Sequence, residues 1–132
     1  MKAFELQIVT PDREVFNGQA ESILVPTSEG VIEILAEHID YMAIVTVGKI
    51  RLIVDGNSRV AACSDGFMTV SGGKVRVICT TFEFADEIDV ERANKAKEKA
   101  EERLSTKLDA NTEKMVKAKL ARALNRIKVA EL

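Results

Sequence analysis

Asp86-Glu87-Ile88-Asp89-Val90-Glu91-Arg92-Ala93 is where this chain of 132 residues changes character. Before it, short apolar runs alternate with Gly-containing turns, the pattern of strands. After it there is no Gly or Pro, and Ala, Lys, Glu, Arg and Leu dominate, the pattern of helix. The octapeptide reads as a helix start, with an acid and a base one turn apart and Asp86 or Glu87 as its expected cap. The chain divides into a β-domain over 1–85 and a helical appendage over 86–132. Such a division suits a binding or regulatory part better than a self-contained enzyme.

Upstream of the border, Phe4, Leu6 and Ile8 alternate with Glu5 and Gln7, and Thr10-Pro11-Asp12 turns the chain. Glu14-Val15-Phe16 follows, with Asn17-Gly18 as the next expected turn. Ser22 to Val25 leads into Pro26 and a loop at Ser28-Glu29-Gly30. Further strands are predicted at Val31–Leu35, Tyr41–Val47, Ile50–Val54, Arg59–Ser64, Gly66–Val70 and Val75–Thr80. Asp55-Gly56-Asn57 and Ser71-Gly72-Gly73 read as hairpin turns. Short strands, tight turns and no helical period between them argue for an antiparallel sandwich or flattened barrel.

Composition narrows the function classes. With 46% apolar and 30% charged residues the chain is too apolar for a disordered one. No apolar run approaches the ~20 residues that span a bilayer, and the N-terminus lacks a signal-like stretch, so a cytosolic product is expected. Residues 1–85 hold 7 basic and 11 acidic side chains, and residues 86–132 hold 12 and 10. The balance, −4 against +2, gives neither segment the charge of a nucleic-acid binder. Cys63 and Cys79 lie in apolar runs; a disulfide and two buried thiols both fit, and a cytosolic chain favours thiols. One His and no Cys-x-x-Cys leave a metal site without support. The serines lack a nearby His-and-acid arrangement, so no catalytic residue is assigned. His38, in Leu35-Ala36-Glu37-His38-Ile39-Asp40, reads as a loop residue with a hydrogen-bond partner or as a contact to a protein partner.

Downstream, Ala93, Ala96, Ala100 and Leu104 follow helical spacing from Ile88. Leu108-Asp109-Ala110-Asn111 interrupts, and a second helix carries Val116, Leu120, Leu124 and Ile127 on one face. Two helices with a short link make an antiparallel hairpin. Arg92 and Lys99 are two turns apart on the first helix, while Lys119, Arg122 and Arg126 share a face of the second. Facing each other, they form either a site for a polyanion such as a nucleoside triphosphate or a solvated, salt-bridged surface. The chain has no Gly-x-x-x-x-Gly-Lys-Ser/Thr loop, so a nucleotide bound here would be sensed and not hydrolysed.

In order along nearly the full length, several segments together resemble the epsilon subunit of bacterial F-type, proton-translocating ATP synthases. They are Thr10-Pro11, Val25-Pro26 with Glu29-Gly30, Val47-Gly48-Lys49-Ile50-Arg51, Val70-Ser71-Gly72-Gly73-Lys74-Val75, Ile88 to Ala93 and Leu120 to Ile127. The resemblance implies an α+β fold, a ten-stranded antiparallel β-sandwich followed by the helical hairpin. It implies a non-catalytic rotor subunit that couples proton flow to ATP synthesis and restrains hydrolysis. The implied partners are the gamma subunit and c-ring, with the alpha/beta hexamer when the hairpin extends, at the cytoplasmic face of the membrane and without insertion into it. Regulatory ATP is implied in the folded hairpin, with adenine-side contacts at Glu83, Ile88, Asp89 and Ala93. Phosphate-side contacts map to Arg92, Arg122 and Arg126, and Lys99 stands where Arg is common. The family's usual Leu-Pro-Gly-His-x-Pro loop is Leu35 to Asp40 here, without its Pro and Gly, so a different loop shape is expected. A free-standing nucleotide-sensing or adaptor module is the alternative.

Overall fold

The computed structural model describes residues 2–132 and divides into two compact units, one ending at Phe84 and the other beginning at Ala85. The first unit holds ten strands: β1 (Phe4–Val9), β2 (Glu14–Ala20), β3 (Ser22–Thr27), β4 (Gly30–Leu35), β5 (Tyr41–Val45), β6 (Gly48–Val54), β7 (Asn57–Cys63), β8 (Gly66–Ser71), β9 (Lys74–Cys79) and β10 (Phe82–Phe84). Hydrogen bonding runs β10-β7-β6-β3-β5-β8-β9-β1-β2, with β4 on the other edge of β3. Pairing is antiparallel except between β1 and β9, which run parallel from Glu5 opposite Lys74 to Val9 opposite Ile78. The tenth strand, Phe82–Phe84, pairs with β7 and is too short for its alternation to stand out in sequence.

β3 is the strand the two layers share. Its Ser22–Leu24 segment pairs with β6, whereas Thr27 pairs with Val45 of β5. Pro26 sits at the switch and has no N–H to give the β6 ladder. Its carbonyl instead accepts the Thr46 N–H at 3.1 Å, and the Ser28 N–H donates to the Ile44 carbonyl at 3.0 Å. A Cβ on Gly48 would lie 2.9 Å from the Pro26 ring carbons, so that approach needs glycine. The strand therefore extends past the Val25 expected from sequence.

Period-2 alternation puts one face of each layer into a common core. Leu6, Ile8, Ile23, Val25, Val45, Ile50, Met68 and Val77 are fully buried there. On the outer face of β1, Gln7 donates to Glu14 at 2.8 Å and accepts from Arg76 Nε at 2.9 Å. Both predicted hairpins are confirmed. Asp55 and Gly56 have φ of 50° and 77°, and Gly72 and Gly73 have 58° and 78°, as a two-residue type I′ turn requires. Asn17-Gly18 is not a turn. Both residues lie inside β2, opposite Gln7 and Leu6, because the reversal is complete at Pro11-Asp12-Arg13 and β1 pairs with β2 from Phe16 to Ala20, beyond a register shift at Val15.

Cys63 and Cys79 are free thiols in this core, with Cys63 Sγ donating to the Thr46 carbonyl at 3.5 Å. A thiol–thiol hydrogen bond with Cys79, together with burial, holds Cys63 well above the usual thiol range.

The loop at residues 36–40 keeps a left-handed residue despite lacking glycine. Glu37 has φ 66°, and its carboxylate meets Lys2 at 2.7 Å in a solvent-exposed pair. Asp40 Oδ1 accepts the Gly72 N–H at 3.1 Å, which ties this loop to the β8–β9 turn.

In the second unit a 3-10 turn (Ala85–Glu87) precedes α1 (Val90–Leu104) and α2 (Ala110–Ala130), which pack as an antiparallel hairpin. No helix among the described residues is long and apolar enough to cross a membrane. α1 buries Ala93 and Ala100, and α2 buries Val116, Ala123 and Val129. Leu124 is 45% exposed, unlike the stripe expected from sequence. At 100° per residue Val116, Leu120, Ala123 and Ile127 span a narrow arc, and Leu124 falls outside it.

Gly66 and Gly48 offer a test of the packing. A Cβ at Gly66 would overlap the Ile78 carbonyl oxygen and lie 2.8 Å from Cys79 Cα, both backbone atoms that cannot swing away. Gly48→Ala meets only the Pro26 ring and should cost ~1–3 kcal/mol. Gly66→Ala should cost more, read as the larger fall in urea midpoint at constant m-value. A Gly66→Ala chain as stable as the parent would contradict the pairing of β8 with β9.

A basic cleft in the helical hairpin

The helix starts determine where the charged side chains fall. Asp89 caps α1, its Oδ1 accepting the Arg92 N–H at 3.0 Å. Asp86 and Glu87, the expected caps, lie a turn earlier in the 3-10 segment, out of position for the first free N–H groups of α1. Asp109 caps α2 through the Thr112 N–H at 2.7 Å. That N–H, reinforced by the Thr112 hydroxyl, holds the Asp109 carboxyl below the usual carboxylate range. Glu113 and Lys117 form an i,i+4 pair at 3.0 Å on α2.

With the helices set in this phase, one side of the hairpin seam opens as a cleft of about 220 Å³. Ala96, Ala100 and Val116 are its apolar lining, joined by Lys99, Arg103, Lys119, Arg122 and Arg126. Lys99, Arg122 and Arg126, singled out from sequence, are therefore brought together, as is Lys119. Arg92 is exposed on the same stripe of α1, one turn before Ala96, and does not line the cleft. Arg103 escaped the sequence reading, although its i,i+4 relation to Lys99 is visible there. It lies in the last turn of α1, where a basic side chain also suits the helix dipole.

The other residues named from sequence are not part of the cleft lining. Ile88 is buried, Asp89 is engaged as a cap, and Ala93 is buried on α1. Glu83 belongs to β10 in the strand-rich unit, opposite Ala62. His38 is half-buried in the loop after β4; its Nδ1–H donates to the Ile39 carbonyl at 2.8 Å, and its ring sits edge-on to Tyr41 at 6.0 Å. Among the described residues no group of three or more His, Cys, Asp or Glu is placed to hold a metal ion.

The cleft's chemistry is one-sided. Lysine and arginine side chains donate hydrogen bonds and accept none, and no acidic residue lines the cavity. Five cations at one groove favour an anion with several oxygens, which guanidinium groups can grip in pairs.

A separate surface on the strand-rich unit is apolar. Met42 and Ile44 on β5 oppose Thr69 and Phe67 on β8. Met42, Ile44 and Phe67 are exposed to 71%, 63% and 46%. Directly opposed residues project from one face of the sheet, so the three form a contiguous apolar patch.

Comparison with known proteins accounts for both units. The family described as ATP synthase, Delta/Epsilon chain, beta-sandwich domain matches residues 3–85, and the companion long alpha-helix domain matches residues 86–131. The ATP synthase epsilon chain of Caldicellulosiruptor bescii is 39% identical over 131 residues, covering 99% of this chain and 96% of that one. That of Ruminiclostridium cellulolyticum is 38% identical over 127 residues, covering 96% and 95%. Among solved structures, a chain of the Euglena gracilis mitochondrial ATP synthase OSCP/F1/c-ring assembly superposes with a TM-score of 0.82 at 22% identity, covering 98% of this chain and 82% of that one. A chain of the Tetrahymena thermophila central stalk/c-ring assembly gives 0.69 at 15%, covering 96% and 95%. At those identities the structural matches speak for the fold.

The caps that frame the cleft are testable. Asp89→Ala should destabilise α1 by about 1 kcal/mol. Because folding lowers the Asp109 pKa, its contribution is complete above the ordinary aspartate value near ~4 and is lost as pH falls through the lower folded value. Asp109→Asn should flatten that part of the acid limb of helicity, followed by circular dichroism. An unchanged acid limb would remove Asp109 from the cap.

Proposed function

The chain belongs to the ATP synthase delta/epsilon chain family, whose members are non-catalytic stalk subunits, and on that premise we propose that it is a rotor component coupling proton flow to ATP synthesis. The observation that carries the reading is the match of both family domains, in order, across residues 3–131. Its partners in this reading are the gamma subunit and the c-ring. The Met42–Ile44–Phe67 patch supports such docking, because an apolar face of this kind is better covered than left in water. The protein then sits peripherally at the cytoplasmic face of the membrane as part of the assembled complex.

The hairpin is the regulatory part in this reading. Its basic cleft receives the phosphates of ATP, with Lys99, Arg122 and Arg126 as the principal contacts and Arg92 beside them at the start of α1. When the hairpin extends, the same basic face of α2 meets acidic loops of the alpha/beta hexamer and restrains hydrolysis. Binding ATP in the folded hairpin opposes that extension by mass action. The support is the convergence of Lys99, Arg122 and Arg126 in one cavity free of acids.

Reconstitution of the complex tests both halves. Ile44→Glu with Phe67→Glu should reduce co-purification with gamma at least tenfold while the free chain stays folded. Undiminished co-purification would favour a different docking face, and failure of the parent chain to co-purify would favour a free-standing adaptor. Arg122→Ala with Arg126→Ala should raise ATP hydrolysis several-fold and weaken ATP binding to the isolated chain. An unchanged hydrolysis rate would count against the inhibitory role.

A further inference from the structure

A second ribbon joins the two layers of the sandwich, and it carries the only two cysteines of the chain. Pairing of β7 with β10 ends at Cys63 opposite Phe82, and pairing of β8 with β9 starts at Gly66 opposite Cys79. Between them the same antiparallel ladder continues. The Ser64 N–H donates to the Thr81 carbonyl at 3.1 Å, and the Thr80 N–H to the Asp65 carbonyl at 2.9 Å. The Ser64 hydroxyl accepts the Thr81 N–H at 3.0 Å. Along a flat ladder the step from Cys63 to Gly66 would hold the two cysteines ~10 Å apart. Their thiols are nevertheless hydrogen-bonded to each other. The ribbon therefore bends at Ser64-Asp65, and the two side chains face each other across the corner between the layers.

The pair is unequal. Cys63 is the donor, reaching the Thr46 carbonyl at 3.5 Å as well as Cys79. That hydrogen bond from Cys63 outweighs burial and holds the Cys79 thiol below the usual thiol range. Cys79 is thus the sulfur that ionises first, and Cys63 stands beside it as a resolving thiol. Each cysteine has a glycine as a ladder neighbour, Gly48 beside Cys63 and Gly66 beside Cys79, and neither brings a side chain to stand between the sulfurs. Both sulfurs are buried, at 2% and 1% exposure, yet Asp65 and Thr80 on the outside of the corner are exposed. Local opening of the Thr80–Asp65 hydrogen bond gives a small solute its route to them.

We propose that Cys63 and Cys79 are a peroxide-oxidisable dithiol, converted to a disulfide that staples the two layers of the sandwich at this corner. The Cys79 thiolate attacks one oxygen of the peroxide, the O–O bond breaks, and the departing hydroxide takes a proton to become water. Cys79 is then a neutral sulfenic acid, and the neighbouring negative charge that opposed ionisation of Cys63 is gone. The Cys63 sulfur attacks the Cys79 sulfur, the S–S bond forms and the S–O bond breaks. The hydroxide released takes the Cys63 proton and leaves as a second water. Two thiols are oxidised by two electrons and one peroxide is reduced. The sulfurs move from hydrogen-bond contact to the ~2.05 Å of a disulfide, and the Cys63 bond to the Thr46 carbonyl is lost. The reaction belongs to the strand-rich unit and is independent of the rotor reading and of the hairpin.

Hydrogen peroxide applied to the folded full chain, followed by thiol counting in denaturant and mass spectrometry, tests the proposal. Both thiols should disappear together, with a mass lower by two hydrogen atoms, and tryptic peptide 60–74 should be joined to 77–92. Dithiothreitol should restore both thiols. The oxidised chain should unfold at higher urea concentration than the reduced one, and the Ser64 and Thr80 amides should exchange hydrogen at least tenfold more slowly. Cys63→Ser should leave Cys79 reacting at least tenfold faster than Cys63 reacts in Cys79→Ser, with neither variant cross-linked. Equal rates would overturn Cys79 as the attacking sulfur. Thiols that survive in the folded chain under conditions that oxidise the urea-unfolded chain would overturn the dithiol. A gain of oxygen mass at either cysteine without the link, or disulfides between two chains, would overturn it equally.

Discussion

Because Pro26 has no N–H, β3 cannot continue along β6, and the strand-rich unit is organised around that interruption. The Pro26 carbonyl takes the Thr46 N–H, and pairing on this edge passes to β5 at Thr27. Strands reached through β6 and strands reached through β5 then form separate layers over a shared core. Gly48 is part of the same constraint, since any Cβ there would press on the proline ring. These residues lie within the Val25-Pro26 and Val47-Gly48 segments that carry the family resemblance. Their physical role is to let one continuous ladder fold over itself.

The helical unit obeys a weaker constraint. Its buried residues are mostly alanine and valine, which permit close approach but remove little apolar surface from water. Aspartate caps start both helices, and the seam is flanked by five like charges. A broader leucine seam would bury more apolar surface.

Much of this was legible before folding was considered. The alternation of Phe4, Leu6 and Ile8, the two Gly-bearing hairpins and the Gly-free helical tail all report local preferences that survive in the structure. Asn17-Gly18 misled because its turn preference is weaker than the strand pairing that sets it opposite Gln7 and Leu6 of β1. Asp86 and Glu87 misled because several acids near a helix start satisfy the same sequence rule, while only Asp89 is spaced to reach a free N–H. The Glu37 backbone shows the reverse. Without glycine in the sequence, a left-handed turn is not expected, yet the surrounding chain imposes φ 66°.

Strand periodicity, helix composition and the order of motifs are properties of neighbouring residues, so the sequence alone determined the two-part architecture and the family. The parallel pairing of β1 with β9, the Leu124 outward phase of α2 and the inclusion of Arg103 in the cleft depend on residues far apart in the chain. No local rule sets the rotation of one helix against another. That rotation follows from which small side chains interlock along the seam, and it decides which cations share a groove. Tertiary structure alone therefore turned a list of basic residues into a cavity with a definite volume, lining and charge.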